Sequence, residues 1–97
     1  MRVAVLGASG GMGSFFVRYF LERGATVRGA DPGKRKREAP TGGRKFASFR
    51  TNAEAVKGCD VVVLAVPMDA TLKVAREVAG KLKPGSTIGI GGMSDWN

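Results

Sequence analysis

The feature that most constrains this chain is a run of seven residues near its start, Gly7-Ala8-Ser9-Gly10-Gly11-Met12-Gly13, set between two stretches of different periodicity. Before it, Val3-Ala4-Val5-Leu6 is short, uninterrupted and apolar, and reads as a strand buried on both faces. After it, Phe15, Phe16, Tyr19 and Phe20 recur at helical spacing as far as Arg23, and Gly24 supplies a natural stop. A strand that passes into a helix through a glycine turn commits the chain to a strand-loop-helix unit, and the remaining residues repeat the alternation.

Ala25 to Ala30 gives a second strand, broken at Asp31-Pro32-Gly33, and the polar basic stretch through Gly42-Gly43 reads as a loop or a short irregular helix. Lys45 to Arg50 alternates apolar and polar residues as a half-exposed strand does. Asn52 to Lys57 makes a short helix with Thr51 as its N-cap. Asp60 to Val66 reads as a central strand closed by Pro67. The next helix is capped by Asp69 and has Leu72, Val74, Ala75, Val78, Ala79 and Leu82 on its apolar face, and Lys83-Pro84-Gly85 ends it. Thr87 to Ile90 starts a fifth strand, followed by a polar, glycine-rich tail in which Trp96 is either docked or exposed. Connections too long for hairpins imply parallel strands and right-handed crossovers. The expected fold is α/β, a Rossmann-type doubly wound parallel sheet of about five strands in the order 3-2-1-4-5, occupying residues 1–97 as one domain. A chain of 97 residues has no room for a substrate or dimerisation domain besides.

Within that fold the glycine run has a chemical reading. Its spacing, G-x-x-G-x-x-G, is one residue longer than the commonest dinucleotide fingerprint, but it follows a strand and opens a helix, as the mechanism demands. Glycines allow a tight turn and let backbone N–H groups approach a pyrophosphate at the positive end of the helix dipole. Gly7, Ser9, Gly10, Gly11, Met12 and Gly13 are therefore candidate cofactor contacts, and Gly13→Val is expected to abolish binding while leaving the fold largely intact. Asp31, at the end of the second strand, stands where a carboxylate can take the hydroxyls of the adenine ribose and repel a 2′-phosphate. It is equally the first residue of an Asp-Pro-Gly turn. Ala65, Val66 and Pro67 close the fourth strand beside the point where strand order reverses, where small residues can border the nicotinamide-side ribose.

Charge and composition narrow the field. The formal net charge is +8, and Lys34, Arg35, Lys36, Arg37, Arg44, Lys45 and Arg50 stand against only Asp31 and Glu38 in one segment. Such a cluster attracts anions, and Arg28, Lys34, Arg35 and Arg37 would suit a 2′-phosphate. NAD and NADP both remain candidate cofactors, with Asp31 tipping the preference to NAD. The basic loop lacks the interleaved aromatics of a nucleic-acid surface. With no histidine and one cysteine, Cys59, neither a metal site nor an intrachain disulfide is expected. The longest apolar stretch, Val61 to Met68, is far short of the ~20 residues of a membrane span, so a cytoplasmic protein is expected. A sheet ending on an exposed edge strand leads us to expect a homodimer or a partner chain.

Over about residues 1 to 90 the chain resembles the amino-terminal domain of prephenate dehydrogenases. The likeness rests on Met1 to Gly13 with Phe16 to Arg23, on Asn52 to Pro67, and on Lys83-Pro84-Gly85-Ser86. These motifs are shared with other 6-phosphogluconate-dehydrogenase-like domains, including coenzyme F420-dependent NADP reductases. The resemblance implies an NAD(P)-dependent oxidoreductase, and in the prephenate branch an oxidative decarboxylation in tyrosine biosynthesis. That family's catalytic histidine has no counterpart here, and the serine and lysine that follow its fifth strand are not clearly matched by Gly91 to Asn97. The expectation is thus a cofactor domain that is not catalytically complete alone, with a non-catalytic nucleotide-binding or regulatory module, or an F420-dependent NADP reductase-like domain, as the alternatives.

Overall fold

The computed structural model describes residues 1–31 and 45–90. The elements follow the order β1 (Arg2–Leu6), α1 (Gly11–Glu22), β2 (Thr26–Ala30), β3 (Phe46–Phe49), α2 (Asn52–Val56), β4 (Val61–Leu64), α3 (Met68–Val78) with a 3-10 turn at Ala79–Lys81, and β5 (Thr87–Ile90). All strand pairs are parallel and the order is β3-β2-β1-β4-β5, as the alternation of elements predicts. The basic stretch from Lys34 to Arg44 and the tail from Gly91, with Trp96, lie outside the described residues.

Strand periodicity divides the core in two. Val3 and Val5 of β1 point to one face, where they meet Val17 of α1, Val27 and Val63; Ala4 and Leu6 point to the other, with Val56, Val62, Leu64, Val74 and Val78. Residues Val3 to Leu6 are fully buried, which is why β1 reads as a continuous apolar run rather than an alternating one. At about 1.5–3 kcal/mol for each large aliphatic side chain removed from water, these two layers supply the main force that holds the turn between β1 and α1 in place. Among the described residues no helix is long and apolar enough to cross a membrane.

Local signals account for most boundaries. Gly24 ends α1 with φ +86, and its N–H donates to the Leu21 carbonyl. Thr51 caps α2, its hydroxyl accepting from the Glu54 N–H at 3.1 Å. Two expectations for α3 are corrected. Its N-cap is Pro67, and Asp69 sits in the first turn, where its charge still opposes the helix dipole. Leu72 is 62% exposed, so the buried stripe is Val74 and Val78. β4 spans Val61–Leu64, shorter at both ends than the Asp60 to Val66 expected, and the Ala65 N–H just beyond it still donates to the Leu6 carbonyl of β1 at 2.8 Å.

Candidate functional site

The order β2-β1-β4 places a topological switch between β1 and β4, and the glycine turn occupies the carboxyl edge there. Gly7 adopts φ +87, and a Cβ built on it would fall 2.3 Å from the Ala65 carbonyl oxygen. Both the backbone angle and the closeness of β4 therefore require glycine. The turn is pinned to β2 by the N–H groups of Gly7 and Ala8, which donate to the Ala30 carbonyl at 2.7 and 3.2 Å, and closes on itself through Gly10 N–H to Gly7 O at 3.2 Å.

The other glycines do different work. At Gly13 a Cβ would lie 1.8 Å from the Gly7 oxygen and 2.9 Å from Ala8 Cα. Its absence lets α1 start directly against the turn. This corrects the expectation for Gly13→Val: a side chain there collides with backbone and disrupts the fold itself. At Gly11 a Cβ meets nothing within 4 Å, and at Gly10 only an ordinary 3.6 Å contact. Neither has positive φ, and both are exposed. Among the described residues, packing gives no reason for glycine at these two positions.

Helix α1 begins at Gly11 with Gly10 as N-cap, no side-chain capping bond and no acidic residue in its first turn. The N–H groups of Gly11, Met12 and Gly13 thus open the helix at its positive end, next to a surface without side chains at Gly10 and Gly11. Such an arrangement suits a diphosphate.

Asp31 lies beside the turn. Its Oδ2 accepts from the Ser9 N–H at 3.0 Å and also from the Ser9 hydroxyl. Ser9 and Asp31, separate candidates in the sequence, thus form one unit that ties the end of β2 to the glycine turn. Ser9 N–H, expected to point to phosphate, is here directed to the carboxylate. Arg28 is drawn away from any such ligand: its Nε donates to the Ala55 carbonyl at 2.9 Å, its Nη2 to that of Glu54 at 3.0 Å, and its guanidinium stacks 4.1 Å from the Phe49 ring centre. It closes the end of α2. Register gives the reason: Arg28 pairs with Ala4 and shares its face, the one beneath α2. Lys34, Arg35 and Arg37 lie outside the described residues.

Ala65 and Val66 border Gly7 on the far side of the crevice, with Ala65 O and Val66 Cγ1 close to the position a Cβ on Gly7 would take. Pro67 opens α3, and Met68 beside it is 55% exposed. All ten candidate positions therefore follow directly on the carboxyl ends of β1, β2 and β4, along one edge of the sheet. Cys59 is not a nucleophile: it is fully buried, its thiol donates to the Ala55 carbonyl at 3.3 Å, and burial pushes its pKa up against the opposing charges of Arg28 and Arg2.

The family described as NADP oxidoreductase, coenzyme F420-dependent, matches residues 2–90. A probable arogenate/prephenate dehydrogenase from Methanocaldococcus jannaschii is 33% identical over 87 residues, which cover 88% of this chain and 19% of that protein. Pyrroline-5-carboxylate reductase from Pseudomonas aeruginosa is 36% identical over 86 residues, 86% of this chain and 31% of that one. Among solved structures, a semialdehyde dehydrogenase NAD-binding protein from Cupriavidus necator, in complex with calcium and NAD, superimposes with a TM-score of 0.69 at 25% identity, covering 92% of this chain and 32% of that chain. The chain thus spans about a fifth to a third of the length of these relatives.

Proposed function

Since this chain belongs to the coenzyme F420-dependent NADP oxidoreductase family, we propose that it is the NAD-binding part of a prephenate-dehydrogenase-like oxidoreductase. The observation that carries this reading is the pair of open glycines, Gly10 and Gly11, at the uncapped start of α1. The N–H groups of Gly11, Met12 and Gly13 hold the pyrophosphate. Asp31 receives the adenine ribose, and its charge disfavours a 2′-phosphate. Ala65, Val66 and Pro67 border the nicotinamide-side ribose. A bound nicotinamide supplies the hydride chemistry, and these residues contribute binding and orientation.

Support for NAD over NADP comes from Asp31 together with the tethering of Arg28, whose guanidinium is occupied by α2 carbonyls. Calorimetric titration with NAD and NADP, oxidised and reduced, tests the reading. NAD should bind at least about tenfold more tightly, a difference of ~1.4 kcal/mol, and Asp31→Asn should narrow the gap. Tighter binding of NADP would overturn the preference, and no binding of any of the four would overturn the cofactor role. The family match itself favours a second reading, an NADP-binding domain that works with a deazaflavin. Tight NADP binding that persists in Asp31→Asn points there.

A further inference from the structure

Three successive residues of the glycine turn address the end of β2. Gly7 and Ala8 donate their N–H groups to the Ala30 carbonyl at 2.7 and 3.2 Å. Ser9 donates twice to the next residue along, its N–H to Asp31 Oδ2 at 3.0 Å and its hydroxyl to the same oxygen. These bonds differ in what they fix. The three N–H groups hold the turn and the strand together whatever side chain stands at position 9. The hydroxyl is the one donor that depends on serine, and it bears on the orientation of a single side chain, the Asp31 carboxylate.

The surroundings of Asp31 give that bond its weight. Pro32 follows directly and carries no N–H, so the adjacent peptide offers the carboxylate no donor. Ser9 and Asp31 are both half-buried, and a hydroxyl bonded to a carboxylate away from open water is among the stronger hydrogen bonds a protein makes. Ser9 is also followed at once by Gly10 and Gly11, the open backbone at the start of α1. One residue therefore sets the carboxylate in a fixed relation to the donors at the head of the helix.

We propose that Ser9 is a positioning residue for dinucleotide selectivity, its hydroxyl holding the Asp31 carboxylate in the orientation that accepts the adenine ribose and opposes a 2′-phosphate. The inference rests on the reading of this crevice as an NAD site. A carboxylate already held meets the ribose hydroxyls without losing rotational freedom on binding, and preorganisation of this kind adds to affinity. Without the hydroxyl, the side chain is freer to turn aside. That movement weakens the ribose contact and relieves the repulsion of a 2′-phosphate together, so both halves of the preference for NAD depend on one oxygen. Ser9 thus acts through Asp31 rather than on the phosphates.

Calorimetric titration of the wild-type chain and of Ser9→Ala with NAD and NADP tests the proposal, and the same comparison in an Asp31→Asn background tests its route. Alanine removes one oxygen and keeps the backbone bond to Asp31. Ser9 has no positive φ, so the exchange adds no strain, and thermal melting verifies the fold. The ratio of NAD to NADP affinity should fall at least about threefold in Ser9→Ala, and by less than that in the Asp31→Asn background. A smaller fall in Ser9→Ala overturns the proposal, including the case in which both cofactors weaken alike, as they would if Ser9 only supported the turn. An equally large fall in the Asp31→Asn background also overturns it, since the hydroxyl would then act on the cofactor directly. A wild-type chain that binds neither cofactor, or binds NADP the more tightly, overturns the NAD reading and this inference with it. NAD-selective binding that is indifferent to the hydroxyl overturns this inference alone.

Discussion

At the residue scale, the glycines of the turn separate into those the fold needs and those it does not. Gly7 and Gly13 belong to the first group, since a Cβ at either would enter backbone space at 2.3 and 1.8 Å. Gly13→Ala should cost about 3 kcal/mol or more of stability, read from denaturant unfolding, because neither Gly7 nor α1 can move aside without disturbing β1. Gly11→Ala should instead leave stability equal or raise it by up to ~1 kcal/mol, alanine being the better helix former. The same variant should weaken NAD binding at least about tenfold by placing a methyl against the diphosphate. If Gly11→Ala bound NAD as tightly as wild type, the start of α1 would not be the phosphate site. The glycine spacing alone does not distinguish these roles, because a one-letter pattern carries no information on what surrounds each Cα. Likewise the sequence offers Ser9 and Asp31 as separate candidates; only the turn that folds Ser9 back on β2 joins them.

At the element scale, the parts set by local chemistry are legible and those set by tertiary packing are less so. β1 and β4, buried on both faces, announce themselves as unbroken aliphatic runs, and the Thr51 cap and Gly24 stop follow from hydrogen-bond and φ requirements that neighbours cannot alter. Thr51→Ala should accordingly cost about 1 kcal/mol. The apolar face of α3 is harder to read, because Leu72 fits the helical period yet lies beyond the part of the sheet that α3 covers. Arg28 misleads for a related reason: its charge suggests an anion, and its strand register directs it to the carbonyls of α2. At the opposite edge of the sheet Asp60 joins three elements, accepting from the Arg2 N–H at 2.9 Å and from Lys83 Nζ at 2.5 Å. The bond from Lys83 and then that from Arg2 hold its pKa below the usual carboxylate value. A lowered folded pKa means stability present above the unfolded value and lost as pH falls through the folded one. Asp60→Asn should therefore flatten the acid limb of a stability-versus-pH curve below about pH 4, with little change in slope near neutrality. An unchanged acid limb would show that the exposed pair is screened by solvent.

At the scale of the whole molecule, the excess of basic over acidic residues matters more for how a ligand arrives than for how it is held. The net charge of +8 surrounds a site whose nearest described ionised group, Asp31, is negative and is already engaged by Ser9. In the proposed role, an anionic dinucleotide is drawn by the summed field of the molecule and then bound by neutral backbone donors and one carboxylate. Field and contacts respond differently to ions: long-range attraction is screened within a Debye length of about 10 Å at 0.1 M, and short hydrogen bonds in the crevice are not. Stopped-flow measurement of reduced NAD should therefore show the association rate falling several-fold between ~20 mM and ~0.5 M salt, with the dissociation rate changing by less than about twofold. Were salt instead to speed dissociation, the phosphates would be held by lysine or arginine side chains rather than by the start of α1. The same measurement with reduced NADP sharpens the point, because its extra charge raises the long-range attraction while Asp31 opposes it at contact. Its association should be the more salt-sensitive of the two and its dissociation the faster.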